Sequence, residues 1–348
     1  MEFTSEDVRN FIIENIGEHP SDISAFAGEN FSISRQAVHL YLKSLEEEGV
    51  ISSEGSTRGK KYFLRVMLEH HWTVSLILGL QEDQIWREHI EPLMKELMIN
   101  PNVIDICHYG FTEMVNNVLD HSEGQTLTAH FKATAKNLKM SVSDDGIGIF
   151  EKIKQAYKLE DHRHAILELA KGKVTVDPKR HTGEGIFFTT RMFDYFAILS
   201  GRLFYSRKSK GDDWLIEDKD SDHRGTYVVM EIDRNSQRTA KEIFDKFASE
   251  AHSYGFTKTH VPVKLAIYGR ESLISRSQAK RLLARFDRFK EVLLDFEGVE
   301  KIGQAFADEI FRVFKNAHPA IEIIWIRAND EVDKMIQRAL DGGLLTPE

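Results

Sequence analysis

The 348-residue chain has one cysteine, seven prolines, no long apolar run and no surplus of positive charge, and each scarcity removes a class of protein. A lone thiol supports no disulfide framework, so Cys107, set among apolar residues of a predicted helix, reads as a buried core thiol in a reducing cytoplasm. Spanning a bilayer takes about 20 consecutive apolar residues, and no stretch comes near that, which argues against a membrane partner. The opening Met-Glu-Phe-Thr-Ser-Glu-Asp is acidic where a secretory signal is basic and then apolar, a second pointer to the cytoplasm. The net charge of −9 argues against indiscriminate coating of nucleic acid, which needs excess Lys and Arg to displace phosphate counterions. It leaves room for one small DNA-reading domain. No HExxH or paired Cys/His spacing appears among the 15 histidines, and the densest group, Asp161-His162-Arg163-His164, reads as a solvated loop. With 41% hydrophobic and 29% charged residues the chain is globular, and its length exceeds one ordinary core. The expectation is an α/β multidomain protein.

What is present begins with residues 1–65, which read as three helices and a hairpin. Ser34 is placed to cap a helix whose Ala37, Val38, Leu42 and Leu45 form an apolar stripe, and Gly49 ends it. That spacing puts Arg35, Gln36 and His39 on the exposed face. Gly55 and Gly59 bracket Ser-Thr-Arg, and Lys60, Lys61 and the apolar Tyr62-Phe63-Leu64 follow, a hairpin with a basic tip at Arg58 and Lys60. This segment resembles the winged helix-turn-helix domain of bacterial transcription regulators. The resemblance implies double-stranded DNA as a partner, with Arg35, Gln36 and His39 at the major groove and Arg58 and Lys60 of the wing on phosphate. A winged helix can also serve protein contacts alone. Residues 66–102 read as connecting helices, with Asp83 as a cap, Ile85, Ile90, Leu93, Met94 and Leu97 as the apolar face, and Asn100-Pro101 as the stop.

Residues 103–235 carry three separated motifs. Glu113 and Asn117 stand four apart on a predicted helix and so share a face. A carboxylate beside a carboxamide oxygen suits orientation of a nucleophilic water or hydroxyl next to magnesium, which prefers hard oxygen ligands. Asp144-Asp145-Gly146-Ile147-Gly148 follows the alternating strand of Leu138, Met140 and Val142. A carboxylate at a strand end accepts hydrogen bonds from an exocyclic amine, and the glycines allow close approach of a flat ring. Thr182-Gly183-Glu184-Gly185 opens a predicted helix, where free backbone amides meet phosphate oxygens. Neither a GxxxxGK[ST] loop nor a GxGxxG after a strand occurs.

In this order, with a polar insertion between the second and third, the motifs resemble the ATPase family of gyrase, histidine kinases, heat-shock chaperones and mismatch-repair proteins. The resemblance implies a two-layer α/β sandwich of the Bergerat type that binds ATP and Mg2+. On that match Glu113 is the general base and Asn117 the magnesium ligand. Asp144 reads adenine, Gly146 and Gly148 shape the base pocket, and Gly183 and Gly185 hold the triphosphate. Thr226, after Gly225, closes the sheet near the adenine. Residues 150–182 form a mobile lid, whose Lys171, Lys173, Lys179 and Arg180 are candidates for phosphate. An autokinase needs proline four residues after its acceptor histidine, and His89-Ile90-Glu91-Pro92 has it one residue early.

Residues 258–348 alternate short apolar strands with amphipathic helices. The run from Leu294 to Gly303 resembles the strand-to-helix turn of STAS domains, partners of anti-sigma kinases. That family's acceptor serine is replaced by Gly303-Gln304-Ala305, so the resemblance implies a binding or dimerising module for a protein partner, with Asp295 capping the turn. The expected function is an ATP-responsive transcription regulator, acting as a homodimer. The alternatives are an anti-sigma-type serine kinase and an ATP-stabilised scaffold.

Overall fold

A computed structural model describes residues 3–56, 59–77, 79–175, 182–209, 213–218, 220, 222–248, 256–267 and 271–341. It is a mixed α/β architecture with three sheets. The first unit consists of α1 (Ser5–Asn15), α2 (Ile23–Phe31), α3 (Arg35–Glu47) and the antiparallel pair β1 (Ile51–Glu54) and β2 (Lys61–Leu64). Thr4 and Asp7 form a reciprocal cap on α1, and Ser34 accepts the Ala37 amide at 3.1 Å on α3. Val8 and Ile12 of α1, Val38, Leu42 and Leu45 of α3, and Ile51 and Tyr62 of the hairpin make a core separate from the rest of the chain.

The chain then enters β3 (Leu68–Ser75) at once, where sequence periodicity predicts connecting helices. Only Trp72 of this strand is buried, and its His70-His71 run hides the two-residue alternation. Its pairing with β4 is a contact of distant sequence, which local pattern cannot supply. The expected helices follow as α4 (Glu82–Ile85) and α5 (Glu91–Glu96), with a π turn over Trp86–Ile90 between them. His89 of that turn stacks on Trp72 at 4.9 Å, a packing role.

Next come α6 (Pro101–His121), β4 (Thr126–Ala133), β5 (Asn137–Asp144), α7 (Ile149–Tyr157), α8 (His162–Lys171) and α9 (Gly185–Met192). They are followed by β6 (Tyr195–Gly201), β7 (Leu203–Lys208), β8 (Trp214–Glu217), β9 (His223–Asp233) and α10 (Ala240–Lys246). The seven strands β3 to β9 form one antiparallel sheet in the order β3-β4-β5-β9-β6-β7-β8. Strict alternation turns Leu138, Met140, Val142 and then Asp144 of β5 to the buried side, so the strand's parity delivers a carboxylate to the helix-covered face. Helix α6 buries Val103, Ile106, Cys107, Gly110, Phe111, Met114, Val115 and Val118, each large apolar side chain contributing about 1.5–3 kcal/mol. The Asp161-His162-Arg163-His164 group is not a loop: Asp161 accepts the Arg163 amide at 2.7 Å and caps α8.

The last unit is a parallel sheet in the order β10-β11-β12, built from β10 (Lys258–Pro262), β11 (Glu291–Asp295) and β12 (Glu322–Ile326). Its helices are α11 (Arg276–Leu283), α12 (Gln304–Asp308), which continues through a π segment into α13 (Lys315–Ala317), and α14 (Asp330–Asp341). After Pro262, β10 yields to a 3-10 turn over Val263–Ala266. Among the described residues no helix is long and apolar enough to cross a membrane.

Helices α6 and α9 meet where Gly110 faces Phe193: a methyl group at position 110 would lie 2.4 Å from the buried Phe193 ring. Alanine there gains up to about 1 kcal/mol of helix propensity and costs about 1–3 kcal/mol by overpacking, so packing wins. Gly110→Ala is expected to lower the urea midpoint, and an unchanged or raised midpoint contradicts this packing.

Candidate active site

A cavity of about 310 Å3 opens between α6, the end of β5 and the start of α9. Glu113, Asn117, Asp144, Gly148, Gly183, Gly185 and Thr226, drawn from four distant stretches, all line it. Gly146 lies behind the wall: its amide donates to Asp144 Oδ1 at 2.9 Å, and a side chain there would strike the Ser122 carbonyl at 1.9 Å. The Asp144 carboxylate is thus held by backbone. Burial raises its pKa, and the hydrogen bonds from Gly146 and Thr226 pull against that. Gly148 has φ +84°, and a side chain there would come within 2.4 Å of Ser200 Oγ. Thr226 Oγ1 accepts the Ile149 amide at 3.0 Å, tying β9 to the start of α7.

At the other end, Gly185 is the first residue of α9 and lies directly against Glu113, whose Oε2 would be 1.8 Å from a methyl group at 185. Gly183 has φ +72° and packs on the backbone of Val174, whose amide donates to the Gly183 carbonyl at 3.0 Å. The carboxyl of Glu113 is raised from its ordinary value by burial and by repulsion from Glu82 and Glu184. Glu184 is also raised, by burial, against the pull of Lys173. Carboxyls raised in this way, inside a cavity, fit acid–base work. Glu184 and Lys152 are wall residues that motif reading misses, and Glu82 acts on Glu113 from outside the wall. Lys152, four residues after Gly148, pairs with Glu123 and falls inside the stretch read as a solvated lid.

Among its described residues the stretch 150–182, expected as a mobile lid, is largely helical, made of α7 and α8. Residues Ala165 to Lys171 of α8 are all buried. Lys171 is no candidate for phosphate: fully buried, it donates to Glu168 at 2.6 Å and to the Ala284 carbonyl at 2.9 Å. Burial pulls its pKa down to about 8 against the attraction of Glu168. Lys173 donates to the Arg288 carbonyl at 2.8 Å. Lys179 and Arg180 lie outside the described residues.

In the first unit Arg35, Gln36 and His39 are exposed on one face of α3. Lys60 is turned back to Glu46 at 3.3 Å and over the Tyr62 ring, so it does not project as a free wing cation. Arg58 lies outside the described residues.

In the last unit Asp295 sits at the carboxyl end of the central strand and accepts the Glu297 amide at 3.1 Å, the turn cap expected of it. It also takes His260 Nε2 at 2.8 Å and Arg327 Nε at 2.9 Å. These bonds hold its carboxyl far below the usual range in spite of burial. Gly303 caps α12 without a hydroxyl.

Residues 278–333 match a family described as a STAS-like domain of unknown function (DUF4325). No curated protein matches the chain significantly. A STAS-like C-terminal unit in a mixed α/β protein is therefore shown, over a limited part of its length.

The charge on Glu113 destabilises the ligand-free fold. Its raised pKa means that the penalty is full above the folded pKa and vanishes as pH falls below the ordinary carboxylate range. Glu113→Gln is expected to melt a few degrees higher than the wild type at pH 8, with the gap closing towards pH 4. Equal midpoints at pH 8 would contradict this placement of the carboxylate.

Proposed function

We propose that the protein is an ATP-responsive transcription regulator, in which a Bergerat-type domain binds ATP with magnesium and a winged helix binds DNA. One observation carries the reading: Glu113 and Asn117, Asp144 with Thr226, and Gly183 with Gly185 converge on a single cavity. A strand-end carboxylate steadied by backbone amides is a partner for the adenine amine, and the amides at the start of α9 face the phosphate end. Asn117 supplies a hard oxygen on the face of α6 that carries Glu113, so the residues present fit a magnesium ion. When bound, that ion neutralises phosphate charge. Glu113 then takes the proton of an attacking water, and its raised pKa makes it a stronger base than an ordinary carboxylate.

The exposed Arg35, Gln36 and His39 support a DNA-reading α3, with symmetric sites engaged by a homodimer. The STAS-like unit, lacking a hydroxyl at Gly303-Gln304-Ala305, serves as a docking module for a protein partner and not as a phosphate acceptor.

Magnesium-dependent release of phosphate from γ-labelled ATP tests the nucleotide reading. Glu113→Gln is expected to abolish release while retaining nucleotide, and Asp144→Asn to weaken nucleotide binding by about tenfold to a hundredfold. Wild-type release should fall as pH drops through the raised pKa of Glu113, because the protonated carboxyl accepts no proton. Label appearing on protein would favour a kinase, and a wild type that binds no ATP would end the reading.

For DNA, Arg35→Ala is expected to weaken duplex binding in a mobility-shift titration without changing ATP affinity. Unchanged DNA affinity would favour a scaffold.

A further inference from the structure

The side of the cavity between α8 and α9 is held in place by the C-terminal unit. Arg285, within the STAS-like match, reaches across to Glu168 of α8 at 2.5 Å. It also donates to the carbonyls of Gly172 and Lys173, each at 2.7 Å. The next residue, Val174, lines the cavity and pairs with Gly183 of the glycine turn. Strand β10 adds two ties from neighbouring residues. Thr259 Oγ1 donates to the Lys171 carbonyl at 2.7 Å, at the end of α8, and the His260 carbonyl accepts from the half-buried Arg191 of α9 at 3.1 Å. Phe256 closes the junction against Phe187 of α9 at 4.4 Å and Phe289 of the C-terminal unit at 5.4 Å.

The contacts on Glu168 and Gly172–Lys173 are of a kind that only a planar, forked cation makes at once: an ion pair on one nitrogen and two carbonyls on another. The carbonyls it takes precede Val174, which touches both the cavity and the glycine turn.

We propose that Arg285 is a positioning residue for the nucleotide site, through which the STAS-like domain latches the cavity wall, so that bound nucleotide leaves only when this latch opens. The inference rests on the nucleotide reading above. It makes the C-terminal unit part of the site without contact to the ligand: Arg285 sets Gly172–Lys173, these set Val174, and Val174 sets Gly183. A partner that pulls on the STAS-like domain then changes how long nucleotide stays.

The test is stopped-flow release of a ribose-labelled fluorescent ATP, with magnesium, from the full chain after a chase with unlabelled ATP. Arg285→Ala is expected to speed release about tenfold while leaving the association rate within about twofold, since ties to bound-state geometry act on departure. Arg285→Lys separates positioning from simple support. Lysine keeps a charge for Glu168 and is expected to hold the melting midpoint near the wild type, yet its one nitrogen cannot stand at both guanidinium nitrogen positions, so with Glu168 kept the two carbonyls are lost and release should still be quick. Should Arg285→Ala fail to fold, Arg285→Lys and Thr259→Val decide the matter. Wild-type release rates in folded Arg285→Lys and Thr259→Val overturn the latch and leave the nucleotide reading standing. A wild type that binds no labelled ATP overturns both.

Discussion

The close approach of α6 to α9 is the constraint around which the site is arranged. One glycine on each helix permits it: Gly110 of α6 lies under Phe193, just past the end of α9, and Gly185 of α9 lies under Glu113 of α6. With any larger residue at 185 the carboxylate would be pushed off the helix start. With the helices further apart the cavity would lose its narrow end. The strand-end carboxylate at Asp144 is fixed in the same manner, by backbone that only glycine lets in, at 146 and at 225, where a side chain would meet the Asp144 carbonyl at 2.0 Å. The site is made of polar side chains pressed against bare main chain.

Such a site carries an electrostatic cost. Glu113 and Glu184 crowd the cavity where α6 meets the start of α9, Glu82 adds its charge to theirs, and the pKa values of Glu113 and Glu184 are pushed up. Behind the cavity wall, where α8 meets the C-terminal unit, the charges are buried but matched: Glu168 sits between Lys171 and Arg285, and its carboxyl is held down at about 2 although burial opposes this. Breaking a matched buried set by removing one member costs far more than an exposed pair does. The frustrated carboxylates lie where a cation and a ligand are proposed to go, and the satisfied network lies where the chain joins its C-terminal unit. The contrast separates a part of the molecule shaped for chemistry from a part shaped for attachment.

The sequence was readable wherever chemistry and period coincide. The four-residue spacing of Glu113 and Asn117, the alternation that ends at Asp144, and the glycines at 183 and 185 each state a local geometry, and the chain brings them to one cavity. The stripe of α3 and its Ser34 cap were equally plain. What escaped depends on distant partners. Strand β3 shows almost no alternation, because an edge strand with one buried tryptophan leaves most of its side chains in water. Lys171 looks like a solvent-exposed lysine in sequence and is buried only because Glu168 one turn earlier and the C-terminal carbonyls await it. No local pattern announces that Arg285 will meet a helix more than a hundred residues away.

The entry of β2 into β3 has a mechanical meaning. The Arg65 amide is bonded back to Val50 at 2.9 Å and the Met67 amide onward to Ala133 at 2.8 Å, and Lys136 of the sheet reaches the Glu14 carbonyl of α1. No slack remains between the first unit and the sheet's edge. A tethered module on a loose string samples every orientation and averages away small displacements of its anchor. Here the anchor and the module turn together, so a tilt of a few degrees at the sheet's edge swings the exposed face of α3 as a lever swings its tip.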